Sequence, residues 1–362
     1  MYPLPKKDRQ ISPYLVFYLI HTMQVGVGIL GFERYIAKSA GHSAWMAVIT
    51  SGLSILILIW ISYRILNKGN NDIVAIQHDL FGKWIGGTLS FIFVIYYTAL
   101  VLVILRTYVE VINVWVFSDV YAWVFIVLIV LIAYYYTVGG FRVVTGISFL
   151  GVIYGFPLLL VKYFPIKEGN VGNLLPLFDI TFPQLYEATK AMTLNYLGFE
   201  VLFMFYPFVK DAPKSEKWAQ FGVLFSMVIY LLTIFVSFAY FSQEQLKTTI
   251  WSTLTLWKIV DLSFIERFEY VGICIWFFVV LPNICIGLWC ASRGVHRLFS
   301  IRQKTSLRVI CVLIIFAAIF LNDRQKVDLA NDWMSKTGFY AIYFYIPFLF
   351  IVQFIVTRVR KR

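Results

Sequence analysis

Two hydrophobic segments of this chain are interrupted near their centres. The first, over about residues 11–37, is broken by Gly26-Val27-Gly28-Ile29-Leu30-Gly31. The sixth, over about 182–209, carries Asn195-Tyr196-Leu197-Gly198-Phe199-Glu200 at its middle. A run of ~20 apolar residues is long enough to cross a bilayer. In hydrocarbon every backbone N–H and C=O must find a partner, so irregular backbone survives only where protein encloses it or where it lines a cavity. Two breaks at matching places in two halves of one chain therefore point to a small-molecule site near the bilayer midplane, the arrangement of the broken-helix transporters.

The rest of the chain is consistent with a membrane solvent. Mean hydropathy is +0.78, and only 14% of residues are charged, where a soluble domain carries about 25%. Ten candidate spans lie at about 11–37, 43–66, 83–117, 121–138, 143–163, 182–209, 218–241, 268–297, 305–321 and 338–358. Segment three is long enough to tilt strongly or to project beyond the bilayer. The expected fold is an all-α polytopic membrane protein, a single transmembrane domain over 1–362. It has ten transmembrane helices in two inverted five-helix repeats, approximately 10–163 and 182–358, with helices one and six broken. Five spans per repeat make the halves opposite in direction, although no residue-level repeat is visible between them. Pro157, Pro207, Pro282 and Pro347 mark local kinks.

Charge sets the orientation. Of 31 Lys+Arg, 19 fall on the termini and on the loops sharing their side, and ten fall on the opposite side. The positive-inside rule then places both termini in the cytoplasm. The net charge of +12 is therefore ordinary loop bias, and the tail Arg358–Arg362 suits anionic lipid. The longest outer loops are about 164–181 and 242–267, and the apolar stretch in the second reads as an interfacial helix on the outer face.

Unwinding near Gly26 and Gly28 would start a new helix at about Ile29 and Leu30, whose free N–H groups suit a carboxylate. Unwinding near Asn195, Leu197 and Gly198 would free carbonyls suited to an ammonium group. Together the breaks suggest a zwitterion such as an amino acid. The competing reading is that Gly26, Gly28 and Gly31 only allow helices to pack closely. Tyr97 and Leu100 on segment three, and Pro282 and Asn283 on segment eight, reach the same depth at 1.5 Å of rise per residue and become pocket-wall candidates.

Ionisable residues inside spans are functional candidates by default. Glu33 follows the first break and Glu200 ends the second. Glu200 either accepts backbone N–H bonds that hold the break or titrates during gating. Arg106 and Glu110, four apart on segment three, share a face on which they can pair. No H-E-x-x-H, Walker or G-x-S-x-G pattern occurs, so no enzyme, metal or cofactor is expected. Residues 26–31 match G-x-G-x-x-G, but without the strand and helix a dinucleotide site needs. The four cysteines read as buried thiols, and no nucleic-acid module is present.

These features resemble the B subunits of nutrient germinant receptors, spore germination proteins within the amino acid–polyamine–organocation transporter superfamily. The resemblance spans essentially the whole chain. It is carried by Gln24-Val25-Gly26-Val27-Gly28-Ile29-Leu30, Gly82-Lys83-Trp84-Ile85-Gly86, Arg106 with Glu110, Tyr196-Leu197-Gly198-Phe199-Glu200-Val201 and Phe264-Ile265-Glu266-Arg267-Phe268-Glu269. It implies a germinant-binding subunit that holds an amino acid or other small nutrient between segments one, three, six and eight. Gly26, Gly28, Leu100, Leu197, Gly198 and Pro282 would line or shape that pocket. It further implies residence in the spore inner membrane beside an A subunit and a C-subunit lipoprotein. Glu266 and Arg267 are expected on the outer face, ordering the 242–267 loop. The alternative function is a secondary amino acid transporter coupled to H⁺ or Na⁺; the fold serves both.

Overall fold

The computed structural model describes residues 4–263 and 265–360. Phe264 of the 264–269 motif and Lys361 and Arg362 of the basic tail lie outside them. Among the described residues every regular element is helical, and the only β-type pairings are two isolated bridges. Seven helices among the described residues are long and apolar enough to cross a membrane, and three shorter apolar helices complete the set of ten segments. Leu15–Gln24 and Phe199–Phe208 are short because they are halves of the broken segments, and Ala122–Val138 is segment four. The protein is an integral membrane protein.

Segment one comprises Leu15–Gln24, a single 3-10 turn at Val27–Leu30, and Phe32–Ala40. Segment six comprises Phe182–Tyr196, then the turn Phe199–Val201 and the short helix Leu202–Phe205. The start of segment one is tied to the end of segment six. Ile11 N–H donates to Phe208 O at 2.8 Å, and Lys210 N–H donates to Ile11 O at 2.9 Å. Phe199, Phe203, Phe205 and Tyr206, between the break and that tie, are buried. The two halves thus share one apolar core, with the long helix Phe268–Phe299 running through it.

Two helices start ahead of their expected spans, and one loop departs from expectation. The helix carrying segment three extends N-terminally beyond the span expected at 83–117. That helix, Ile73–Trp115, bends at Gly82, which sits at φ 77°, a region open mainly to glycine. Gly86 then lets the chain fold back, since a Cβ there would lie 2.4 Å from Gln77 O. The helix that leads into segment ten begins at Arg324, ahead of the span expected at 338–358, with Asp323 accepting the Lys326 N–H at 2.8 Å as its cap. That hydrogen bond holds the Asp323 carboxyl below its ordinary pKa.

The 242–267 loop does not lie on the surface as an interfacial helix. It forms two short helices, Gln243–Thr248 and Ser252–Trp257, that turn their apolar side chains inward. Leu246, Leu254, Leu256 and Trp257 are buried, and Trp257 seats against Gly272, where a Cβ would come within 2.7 Å of its ring. The glycines of segments one and eight supply the flat seats that draw the loop in. Glu266 is exposed, and Arg267 is engaged locally, pairing with Glu269 at 3.0 Å and stacking 4.0 Å from the Tyr270 ring centre.

Candidate functional site

A buried backbone group that loses its helical partner must find another. At both breaks those partners are side chains. Asn283 Nδ2 donates to Thr22 O at 2.9 Å, and Trp276 Nε1 donates to Gly26 O at 3.2 Å. The Tyr230 hydroxyl lies 2.6 Å from Gln24 O and 3.3 Å from Asn195 O, and so bridges the two breaks. Gln24 Nε2 reaches Tyr196 O at 3.5 Å. The single Tyr230 proton goes to the nearer Gln24 O, and of the break-six carbonyls Tyr196 O is the one that a side-chain amide approaches.

Break six turns on Gly198, at φ 107°. Its N–H donates to Glu200 Oε2 at 2.8 Å, Glu200 Oε1 accepts the Tyr96 hydroxyl, and the Tyr97 hydroxyl donates to Glu200 O at 3.0 Å. Glu200 thus has partners both within the break and on segment three. At break one the second helical half starts at Phe32, not at Ile29 or Leu30. Glu33 Oε1 accepts from Ser237 at 2.9 Å, and the Thr253 hydroxyl stands within bonding reach of both Glu33 Oε1, at 3.0 Å, and Ile29 O, at 3.1 Å. The folded-in loop is thereby bonded to the break.

Between the breaks lies a cavity of about 440 Å³. Gly26, Gly28, Leu100, Asn195, Leu197 and Asn283 all line it. The glycines have a packing role here as well. A Cβ on Gly26 would lie 2.5 Å from Asn283 Nδ2, and one on Gly28 would lie 2.3 Å from Asn195 Oδ1. Close packing and site formation are therefore one feature: small residues in segment one make room for two amide side chains from segments six and eight.

Five sequence candidates are not brought to the cavity wall. Tyr97 is buried and spends its hydroxyl on Glu200 O. Ile29 and Leu30 point into the apolar core. Gly198 packs on Met23, 2.8 Å from where its Cβ would be. Pro282 faces Gly151 of segment five, and the carbonyl of Phe278, four residues before the proline, lies against the same glycine. The Arg106–Glu110 pairing is also replaced. Glu110 pairs with Arg324, and Arg106 Nε donates to Leu321 O.

The sequence reading missed the cavity mouth. Arg34, Tyr35 and Lys38 come from the second half of segment one. Arg324, Asp328, Asn331, Asp332 and Ser335 come from the start of segment ten. The spacing 324, 328, 331, 335 is one helical face, and that periodicity ahead of an apolar span was the available signal. Arg324 also bonds Asp328 at 2.9 Å and lies 5.3 Å from the Trp251 ring centre. Trp251, carried by the folded-in loop, lines the cavity beneath this cluster. The site is thus a mainly apolar chamber, set with a few amide side chains and opening at a charged mouth.

The comparisons agree with this architecture. Residues 10–327 match the family described as Spore germination protein. The chain is 41% identical to the spore germination protein GerQB of Bacillus cereus, over 98% of each chain. It is 22% identical to spore germination protein A2 of Bacillus subtilis (strain 168), over 95% of this chain and 94% of that one. Spore germination protein B2 of the same strain is 21% identical, over 97% and 96%. Among solved structures, a Na⁺-coupled sialic acid symporter in a substrate-bound outward-open state superposes with a TM-score of 0.69. That match is 13% identical, over 93% of this chain and 80% of the symporter, and shows a shared fold. With broken segments one and six enclosing a cavity and the family matched over most of its length, the chain belongs to the spore germination protein family.

Proposed function

We propose that this chain is the germinant-sensing B subunit of a spore nutrient receptor, and is not an enzyme. It binds an amino acid or similar small nutrient in the cavity between the breaks. The two halves, approximately 10–163 and 182–358, act as inverted repeats whose relative packing changes with occupancy. An A subunit and a C-subunit lipoprotein in the spore inner membrane read out that change, with both termini of this chain cytoplasmic. A ligand shifts such an equilibrium only by its differential affinity for the two packings.

The observation that carries this reading is the cavity itself, enclosed by both breaks and lined by Gly26, Gly28, Asn195 and Asn283. A secondary transporter coupled to H⁺ or Na⁺ is the second reading, favoured by the likeness to a Na⁺-coupled symporter. Against it stands the bonding at break one. Broken-helix transporters offer unwound carbonyls to a coupling cation, whereas here the Thr22 and Gly26 carbonyls accept from Asn283 Nδ2 and Trp276 Nε1. Spores carrying Gly28→Trp at normal protein levels are expected to lose their nutrient response. An unchanged nutrient dependence in those spores would contradict the assignment of the cavity.

A further inference from the structure

Among the described residues, three side-chain amide oxygens at this cavity lack a hydrogen-bond partner: Gln24 Oε1, Asn195 Oδ1 and Asn283 Oδ1. All three residues line the cavity and are buried, at 1%, 8% and 1% exposure respectively. Two of the amides are oriented by their nitrogens. Gln24 Nε2 is spent on Tyr196 O and Asn283 Nδ2 on Thr22 O, so in each case the oxygen is the end left over. They come from three different segments, one, six and eight, which converge only at the breaks. Buried polar atoms in folded proteins are almost always hydrogen-bonded. Three at one place, from three segments, point to a donor that the chain itself does not supply.

Neither Glu33 nor Glu200 lines the cavity. Its acids, Asp328 and Asp332, stand at the mouth. The deep wall thus supplies acceptors without supplying charge. We propose that Gln24, Asn195 and Asn283 form a neutral acceptor subsite for a ligand head that carries several N–H or O–H donors. This rests on the reading of the cavity as the ligand site and names the chemistry it selects. An ammonium of a zwitterion and a cluster of neutral hydroxyl or amide donors both satisfy three such oxygens. The mouth residues Arg34, Lys38 and Arg324 then face the remainder of the ligand.

The test centres on Asn195, because no hydrogen bond of the fold uses its side chain among the described residues. Two measurements are made on the full-length chain in nanodiscs. The first is ligand-free thermal unfolding of Asn195→Leu, which keeps the shape and removes the oxygen. The subsite predicts a melting temperature equal to or above that of the wild type; a fall of several degrees would mean the oxygen is structurally bonded, and would overturn it. The second is binding of radiolabelled L-alanine, L-leucine, uridine and glucose. Any probe that binds the wild type is expected to bind Asn195→Leu at least tenfold more weakly, and wild-type affinity in that variant would overturn the subsite. Asn195→Asp separates the two sources: a carboxylate tightens an ammonium ligand and leaves a neutral one unchanged or weaker. If no amino acid binds but the melting temperature holds or rises, the acceptor subsite stands and the amino acid reading falls.

Discussion

Replacing Gly28 by alanine puts one methyl group against Asn195. The added Cβ would lie 2.3 Å from Asn195 Oδ1, whereas ordinary contact begins near 3.4 Å. The oxygen must therefore retreat by about 1 Å. Gly28 does not occupy the left-handed region, so the penalty is steric and not one of backbone strain. Forcing the amide off its rotamer costs about 0.5–1.5 kcal/mol, and overpacking a filled site costs about 1–3 kcal/mol. At 1.4 kcal/mol per tenfold, Gly28→Ala should weaken ligand binding by roughly 5- to 100-fold. The clean assay is a double-mutant cycle in ligand-free chemical unfolding. Gly28→Ala should destabilise by about 1–3 kcal/mol, and Asn195→Ala in the same chain should recover about 1 kcal/mol or more, because neighbours in contact do not add. Strict additivity, or an unperturbed Gly28→Ala protein, would refute the claim that segment one is glycine-rich to admit the amide of segment six.

Glu200→Leu should leave the Gly198 N–H and the Tyr96 hydroxyl without an acceptor. Each costs about 1–3 kcal/mol when stranded, read as a lower unfolding midpoint, and Glu200→Gln should recover part of the loss. Asp72 and Arg297 form a buried ion pair at 2.6 Å. Removing one partner of such a pair costs about 3–5 kcal/mol, so Asp72→Leu should sharply reduce folded protein in the membrane, as followed by detergent-extracted monomer. Arg267→Cys should react with an impermeant thiol reagent from outside the membrane, and reactivity only from the cytoplasmic side would reverse the topology.

The breaks were legible because glycines and a buried acid interrupt otherwise apolar runs, and hydrocarbon tolerates that only around a cavity. Gly26, Gly28 and Asn195 followed from the breaks themselves, and Asn283 from depth counting; all four line the cavity. What stayed hidden was long-range. Glu110 has a local candidate in Arg106, four residues away, yet its partner Arg324 is 214 residues distant. Counting also places Tyr97 and Pro282 at the right depth without giving the rotation of their helices, and each turns onto other elements. Gln24 was read as part of a family motif and not as a wall of the site, since nothing local shows that its amide reaches Tyr196 across the bundle. The 242–267 loop looked interfacial because its apolar residues are real. Its inward fold depends on Gly31 and Gly272, where a Cβ would lie 2.3 Å from Ile250 O and 2.7 Å from the Trp257 ring.

The central claim is that the cavity between the breaks senses a nutrient and does not pump it. The direct measurement is paired binding and uptake in proteoliposomes holding this chain with its A and C partners, under imposed H⁺ and Na⁺ gradients. The account predicts saturable binding of a small nutrient, abolished by Gly28→Trp, with no accumulation in the lumen under either gradient. Gradient-driven accumulation, or binding indifferent to Gly28→Trp, would contradict it.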